Sequence, residues 1–159
     1  MVSVGDTAPD FSAPLALGDI SEFTLSDRLE EAPLVFAFFP GAFSGTCTSE
    51  MGTFENRLDE FEGAGATVYG VSVDLPWALQ EFRKGETLSF GMISDTNRDV
   101  IDAYDLETDF VSMGLEDLAK RAVVVVDDDR VVQYAWVTDD AGREPDYDEV
   151  LDAVIEVAE

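Results

Sequence analysis

The strongest constraint on the fold is a strand–loop–helix pattern in residues 33–51. Residues 34–39 form a continuously apolar run, which predicts a central strand covered on both faces. The run ends at Pro40-Gly41, a loop of small residues follows, and a helical pattern begins near Cys47, the only cysteine. Free N–H groups and the positive end of a helix dipole favour an anion at such a position. The pattern therefore predicts a reactive thiolate, the alternative being an inert buried cysteine.

Strand and helix patterns alternate along the rest of the chain. The predicted strands cover residues 11–14, 22–25, 34–39, 67–73, 90–93, 122–126 and 131–137. The predicted helices cover residues 47–63, 77–84, 97–104 and 147–158, and residues 105–119 have a poor period and predict an irregular segment. This alternation predicts an α/β fold with a mixed central sheet and helices on both faces. The length of 159 residues predicts a single domain over residues 1–159.

Charge is the most unusual feature of the composition. The chain carries 35 acidic and 9 basic residues, for a net charge of −26. Such a charge repels itself, and salt screens the repulsion. The scarcity of lysine beside aspartate and glutamate predicts a protein from an organism that keeps molar salt in its cells, the alternative being an ordinary acidic enzyme. Nucleic acid and anionic membrane surfaces are disfavoured partners, because both require clustered basic residues.

Several classes of site are excluded by residues that the chain lacks. There is no histidine, which rules out a Cys–His pair, a Ser–His–Asp triad and the usual zinc sites, so we expect no metal or other cofactor. A single cysteine cannot form an internal disulfide. No apolar run is long enough to span a bilayer, and the first residues do not resemble a signal peptide, so we expect a cytoplasmic location.

The residues around the cysteine resemble a known signature. Pro40-x-x-x-Ser44-x-x-Cys47 is similar to the Pro-x-x-x-Thr/Ser-x-x-Cys motif of the peroxiredoxins, which are thiol peroxidases, and Glu50 also matches. Serine stands where that family usually has threonine, so the hydroxyl is kept but the methyl that restricts its rotamer is lost. Residues 4–11 resemble the start of peroxiredoxins and other thioredoxin-like proteins. The resemblance covers nearly the whole chain and implies a thioredoxin-like fold.

The resemblance also implies a role for each of five residues. Cys47 would attack a peroxide oxygen and become a sulfenic acid. Ser44 would accept the peroxide O–H while donating to the thiolate, and the Pro40 ring would cover the sulfur; a helix N-cap and a strand terminator are their alternative roles. The fixed charge of Arg121, just before a buried strand, would stabilise the thiolate and the peroxide oxygens. Glu50 would hold the arginine in position. The alternatives are a surface arginine and a solvated helix acid.

The clearest departure from the family is the lack of a second cysteine. In the subgroup that resolves within one helix, the second cysteine follows five residues after the first, where this chain has Gly52. The resemblance therefore implies a one-cysteine peroxidase for hydrogen peroxide and small alkyl hydroperoxides. An external reductant, either a small thiol or a thioredoxin-like protein, would restore the thiol. The resemblance further implies a homodimer or higher homo-oligomer, with the regions of Phe43 and Trp77 at the interface.

Two other functions remain open from the sequence alone. The same thiol on the same fold would suit a redox sensor or a chaperone-like binding protein, which would show slow or absent turnover with thiol donors. A disulfide oxidoreductase is disfavoured, because the chain has no Cys-x-x-Cys pair.

Overall fold

A seven-stranded mixed sheet organises residues 1–158, the part of the chain that the computed structural model describes. The nine strands are β1 (Ser12–Leu17), β2 (Asp19–Thr24), β3 (Leu34–Phe38), β4 (Thr67–Ser72), β5 (Gly91–Ser94), β6 (Glu107–Phe110), β7 (Leu115–Ala119), β8 (Arg121–Val126) and β9 (Val132–Thr138). The order in the large sheet is β2-β1-β5-β4-β3-β8-β9, and β6 and β7 form a separate hairpin. Strand β3 pairs in parallel with β4 and antiparallel with β8, so it lies at the centre.

Helices cover both faces of this sheet, as predicted. They are α1 (Gly45–Asn56), α2 (Leu58–Gly63), α3 (Pro76–Glu86), α4 (Asp99–Ala103) and α5 (Tyr147–Ala158). Strand β3 is buried along its whole length because its side chains alternate between two cores. Phe36 and Phe38 join the core that α4 closes, whereas Val35 and Ala37 join the core closed by the other four helices. This is the thioredoxin-like arrangement that the sequence resemblance implied.

Two predictions of local structure were wrong. Residues 105–119 are not irregular, because they form the β6–β7 hairpin with a 3-10 turn at Val111–Met113. Both hairpin strands are largely exposed and carry acidic residues, so they lack the apolar run that identifies a buried strand. The predicted helix over residues 47–63 is in fact two helices, because Arg57 leaves the helical conformation at φ −107° and ψ 7°. The other predicted elements are present, with bounds that differ by a few residues.

The start of the last helix, at Tyr147, was predicted correctly. Asp146 Oδ1 accepts a hydrogen bond from the Glu149 N–H at 3.1 Å, which caps the first turn of α5. Among residues 1–158, no helix is long and apolar enough to cross a membrane.

Candidate active site

The candidate active site lies where β3 passes into α1. Strand β3 ends at Phe38, Pro40 is buried behind it, and α1 begins at Gly45. Cys47 is therefore in the first helical turn, and its side chain is 1% exposed. This is the position at which free backbone N–H groups and the helix dipole favour a negative charge. The strand–loop–helix prediction for this segment is confirmed.

The loop between strand and helix is held by a carboxylate from the neighbouring strand. Asp74, just beyond the end of β4, accepts a hydrogen bond from the Ala42 N–H at 2.8 Å through Oδ2. The same oxygen accepts from the Ser72 hydroxyl at 2.6 Å. Phe43, next in the loop, has a positive φ of 70°, a conformation that non-glycine residues rarely adopt. The backbone path to Cys47 is therefore fixed from outside the loop.

Arg121 reaches the cysteine across the sheet. Phe38 pairs with Ala122 in the antiparallel register of β3 and β8, so the first residue of β8 lies beside the end of β3. The Arg121 Nη2 atom is 3.2 Å from the Cys47 Sγ atom, and Nη1 donates to Glu50 Oε1 at 2.7 Å. Nε and Nη2 also donate to the Ala141 carbonyl, at 3.1 and 2.7 Å. Glu50 on α1 and the Ala141 carbonyl thus orient the guanidinium toward the sulfur.

The Arg121–Glu50 pair is buried, and burial governs its electrostatics. The exposed fractions of the two side chains are 1% and 0%. Burial raises the pKa of Glu50 to about 7, an effect that the charge of Arg121 opposes and the nearby Glu144 reinforces. Within residues 1–158, the second carboxylate oxygen, Oε2, has no hydrogen-bond partner. Burial on its own would lower the pKa of Arg121, but Glu50 and the Cys47 sulfur outweigh it and the pKa is raised. The guanidinium therefore stays charged.

Ser44 and Pro40 both line the same pocket as the sulfur. Ser44 is exposed, and its hydroxyl donates to the Gly41 carbonyl at 3.0 Å. The prediction that this hydroxyl donates to the thiolate was therefore wrong. Its oxygen can therefore still accept a hydrogen bond from a bound hydroxyl. Ser44 is the N-cap residue of α1 by its backbone, but in the described chain its side chain makes no capping hydrogen bond. Pro40 is buried and lines the pocket.

The pocket has a volume of about 220 Å³. It is lined by Pro40, Ser44, Gly45, Thr46, Cys47, Phe110, Arg121, Ala141 and Gly142. The five residues predicted for the site are therefore brought together, four of them at the pocket and Glu50 behind Arg121. Sequence reasoning missed Asp74, Phe110 and the Ala141 carbonyl. A polar residue just after a strand was a weak signal for Asp74, and no local signal identified the other two.

One group of carboxylates outside this pocket is close enough to share a cation. Among residues 1–158 it consists of Asp127, Asp128 and Asp129, at the turn between β8 and β9. Asp127 Oδ1 accepts hydrogen bonds from the N–H groups of Asp129 and Val131, at 2.9 and 2.8 Å. The turn itself therefore accounts for the position of Asp127.

Sequence comparisons with known proteins identify the family of the chain. Residues 4–135 match the model of the AhpC/TSA family. The thiol peroxidase of Streptococcus sanguinis is 32% identical over 154 residues, which cover 96% of this chain and 89% of that protein. Peroxiredoxin Bcp of Escherichia coli (strain K12) is 30% identical over 151 residues, which cover 94% of each chain.

Solved structures show the same fold. Peroxidoxin BcpB from Mycobacterium tuberculosis superposes with a TM-score of 0.85 at 25% identity, covering 99% of both chains. AhpC from Mycobacterium tuberculosis superposes with a TM-score of 0.83 at 24% identity, covering 97% of this chain and 92% of that one.

Proposed function

The chain belongs to the AhpC/TSA family of peroxiredoxins, and from this premise we propose that it reduces hydrogen peroxide and small alkyl hydroperoxides through the Cys47 thiolate. Enzymes of this family are oxidoreductases. The observation that carries the proposal for this chain is the 3.2 Å contact between Arg121 Nη2 and Cys47 Sγ in the first turn of α1. A buried charge at this distance stabilises the thiolate in a pocket that a peroxide can enter.

The first step is an in-line displacement on the peroxide. The Cys47 sulfur bonds to the terminal oxygen of ROOH while the O–O bond breaks, and the peroxide's own hydroxyl proton passes to the leaving RO⁻. The products are a sulfenate and ROH, which is water when R is hydrogen. Arg121 stabilises the charge that moves onto the oxygens, Ser44 accepts the peroxide O–H, and Pro40 limits water. Glu50 acts as a positioning residue, since it contacts Arg121 and not the sulfur.

The second half of the cycle uses thiols from outside the chain. The sulfenate takes a proton from the solvent to become the sulfenic acid, and one thiol condenses with it, giving a mixed disulfide and water. A second thiol then releases Cys47 and leaves as the oxidised disulfide. This one-cysteine scheme is supported by the presence of a single cysteine in the sequence. The donor is a small thiol or a thioredoxin-like protein, and either requires a reducing compartment, which supports a cytoplasmic location.

Three further proposals concern the whole molecule. The net charge of −26 supports an origin in a salt-accumulating cell. Both cores border the same sheet, which supports a single domain over residues 1–159.

The proposed dimer interface is an exposed apolar region formed by Phe43, Leu75 and Trp77. The Phe43 ring centroid lies 5.2 Å from that of Phe82 on α3, and we infer that a second copy of the chain covers this region. Sedimentation of the wild type and a Trp77→Ser variant tests the dimer, which the variant should weaken.

Stopped-flow mixing of the reduced protein with hydrogen peroxide in high salt tests the enzymatic proposal. We expect a rate constant above about 10⁴ M⁻¹ s⁻¹, a sulfenic acid on Cys47 that a dimedone probe traps, and catalytic turnover with added thiols. A Cys47→Ser variant should form no adduct. A Cys47 that reacts no faster than a free thiol would overturn the proposal. Fast oxidation without turnover by small thiols or thioredoxin-like donors would instead favour the redox-sensor function.

A further inference from the structure

We propose that Phe110, on the β6–β7 hairpin, makes the active-site pocket select hydroperoxides that carry a compact apolar substituent over hydrogen peroxide. The inference rests on the proposed peroxidase function and concerns its specificity. Phe110 lines the same pocket as Cys47, although it lies 63 positions further along the chain (110 − 47). The side chain of Phe110 has no polar atom that could carry a proton or stabilise a charge. The part that we assign to it is therefore contact with the substituent of the substrate.

The regular alternation of β6 places Phe110 on the half-buried face of the strand. The pairing of β6 with β7 shifts register between Thr108 and Phe110, which marks a β-bulge. The extra residue lies in β7, where residues 116 and 117 face the single residue 109, so β6 keeps its regular alternation. Asp109 Oδ1 accepts a hydrogen bond from the Asp117 N–H at 3.0 Å across the irregular stretch. Phe110 and Thr108 are half-buried, whereas Asp109 and Glu107 face the solvent.

The base of the hairpin is tied to the rest of the molecule. The Lys120 N–H donates to the Leu106 carbonyl at 2.7 Å, and Leu106 and Ala119 are buried. Arg98, before α4, donates from Nε to the Asp117 carbonyl at 3.0 Å. These contacts anchor the hairpin that carries Phe110 to the rest of the molecule.

The size of the pocket exceeds what hydrogen peroxide needs. Hydrogen peroxide has two heavy atoms, about the volume of two waters at roughly 30 Å³ each. The pocket measures about 220 Å³, and an apolar cavity of about 150 Å³ is enough to bind benzene. Once the peroxide oxygens lie between Cys47, Ser44 and Arg121, space remains for a branched alkyl or aryl group.

The chemistry of the remaining lining suits an apolar group. Beyond Cys47, Ser44 and Arg121, the lining residues are Pro40, Gly45, Thr46, Phe110, Ala141 and Gly142, of which only Thr46 has a polar side chain. Phe110 is the largest apolar side chain among them, so it supplies most of the apolar contact for a substituent. Such contact increases the rate for substrates that have the substituent and cannot act on hydrogen peroxide, which has none.

The test compares rate constants for three oxidants across matched variants. The second-order rate constant of Cys47 oxidation is measured with hydrogen peroxide, tert-butyl hydroperoxide and cumene hydroperoxide. The variants are Phe110→Ala, Phe110→Leu and Val111→Ala. Val111 is the control, since it is the next residue on the hairpin, is 84% exposed and does not line the pocket. Far-UV circular dichroism and urea unfolding show that each variant is folded.

The ratio of the organic to the hydrogen peroxide rate constant is the decisive quantity. We expect Phe110→Ala to lower this ratio about tenfold, Phe110→Leu to keep most of it, and Val111→Ala to leave it unchanged. An unchanged ratio in Phe110→Ala, or a proportional fall of all three rate constants, would overturn the inference while leaving the peroxidase function intact. A wild type that reacts slowly with every oxidant would instead refute the proposed function, and the inference with it.

Discussion

The Arg121 Nη2 atom lies 3.2 Å from the Cys47 Sγ atom, although 74 positions of the chain separate the two residues. Strand register brings them together, because β8 pairs with β3 just before β3 gives way to the active-site loop. Glu50 and the Ala141 carbonyl bind the other N–H groups of the guanidinium. The arginine is thus held ready before any substrate arrives, which is the arrangement that electrostatic catalysis requires.

Replacing the arginine should remove most of the reactivity with peroxide. Arg121→Met takes away the charge that contacts Cys47 at 3.2 Å, so we expect the second-order rate constant for hydrogen peroxide to fall about 10²- to 10³-fold. The measurement is stopped-flow oxidation in high salt. A fall of less than about threefold would show that the guanidinium does not stabilise the reacting atoms.

The same substitution leaves Glu50 buried without its partner, so stability needs its own control. Removing one member of a buried pair costs about 3–5 kcal/mol, and neutralising the other member should recover much of that loss. We therefore expect Arg121→Met/Glu50→Gln to unfold at higher urea than Arg121→Met but to react as slowly. Recovery of the rate in the double variant would mean that the single substitution acted through misfolding.

The stability contributed by Glu50 should depend on pH in a defined direction. Burial raises the pKa of Glu50 from 4.5 to about 7, so between these values the folded protein binds a proton that the unfolded chain has lost. The contribution is fully present below about pH 4.5 and is lost as the pH rises through 7, by on the order of 3 kcal/mol. Urea unfolding from pH 5 to 8 gives the free energy of unfolding of the wild type minus that of Glu50→Gln. We expect this value to fall as the pH rises, and a value that rises with pH would contradict the prediction.

The hydroxyl of Ser44 should affect the rate more than the stability. The residue is exposed, and its hydroxyl donates a hydrogen bond to the Gly41 carbonyl oxygen at 3.0 Å. The hydroxyl oxygen is therefore left to accept a hydrogen bond from the peroxide. We expect Ser44→Ala to lower the rate constant about tenfold, with a change in unfolding free energy within about 1 kcal/mol. Ser44→Thr should keep the activity, because it keeps the hydroxyl. Ser49→Ala, which removes an exposed hydroxyl bound to Glu144, is the matched control and should react like the wild type.

Asp74 should act as a positioning residue for the active-site loop. Asp74→Ala removes the acceptor of the Ala42 N–H at 2.8 Å, so we expect faster hydrogen exchange in residues 41–46 and about a tenfold lower rate constant. Asp74→Asn keeps an acceptor oxygen, so it should preserve most of the protection from hydrogen exchange and most of the rate constant. Uniformly faster exchange across the sheet in Asp74→Ala would indicate a general loss of stability and argue against a local role.

Salt should stabilise the folded chain. At a net charge of −26 the acidic side chains repel one another, and the screening length falls from about 10 Å at 0.1 M to about 3 Å at 1 M. We expect the urea midpoint of unfolding to rise between 0.2 M and 2 M KCl. Sorbitol at equal osmolality separates screening from solute exclusion and should raise the midpoint less. Equal effects of KCl and sorbitol would refute the electrostatic explanation.

The elements that could be predicted are those whose residues carry their own periodic signal. The apolar strand before Pro40, the helix that begins near Cys47 and the helix from Tyr147 were all identified from local pattern, and the structure contains each of them. Burial on one or both faces of an element leaves a period in the sequence that can be recognised without knowledge of the partner element. The exposed hairpin over residues 105–119 carries no such signal and was missed.

Contacts between distant segments could not be obtained in this way. Resemblance to peroxiredoxins suggested Arg121 and its contact with Glu50, but the distances to Cys47 and Glu50 and the bond to the Ala141 carbonyl depend on how β8 lies against β3. Phe110 lines the pocket from the β6–β7 hairpin, which is distant in sequence from the active-site loop. Local pattern therefore determined where the thiol sits on its own helix, since neighbours in the chain impose that geometry. Only tertiary structure decided which charges and rings surround it, because strand register joins residues whose separation in sequence says nothing of their distance.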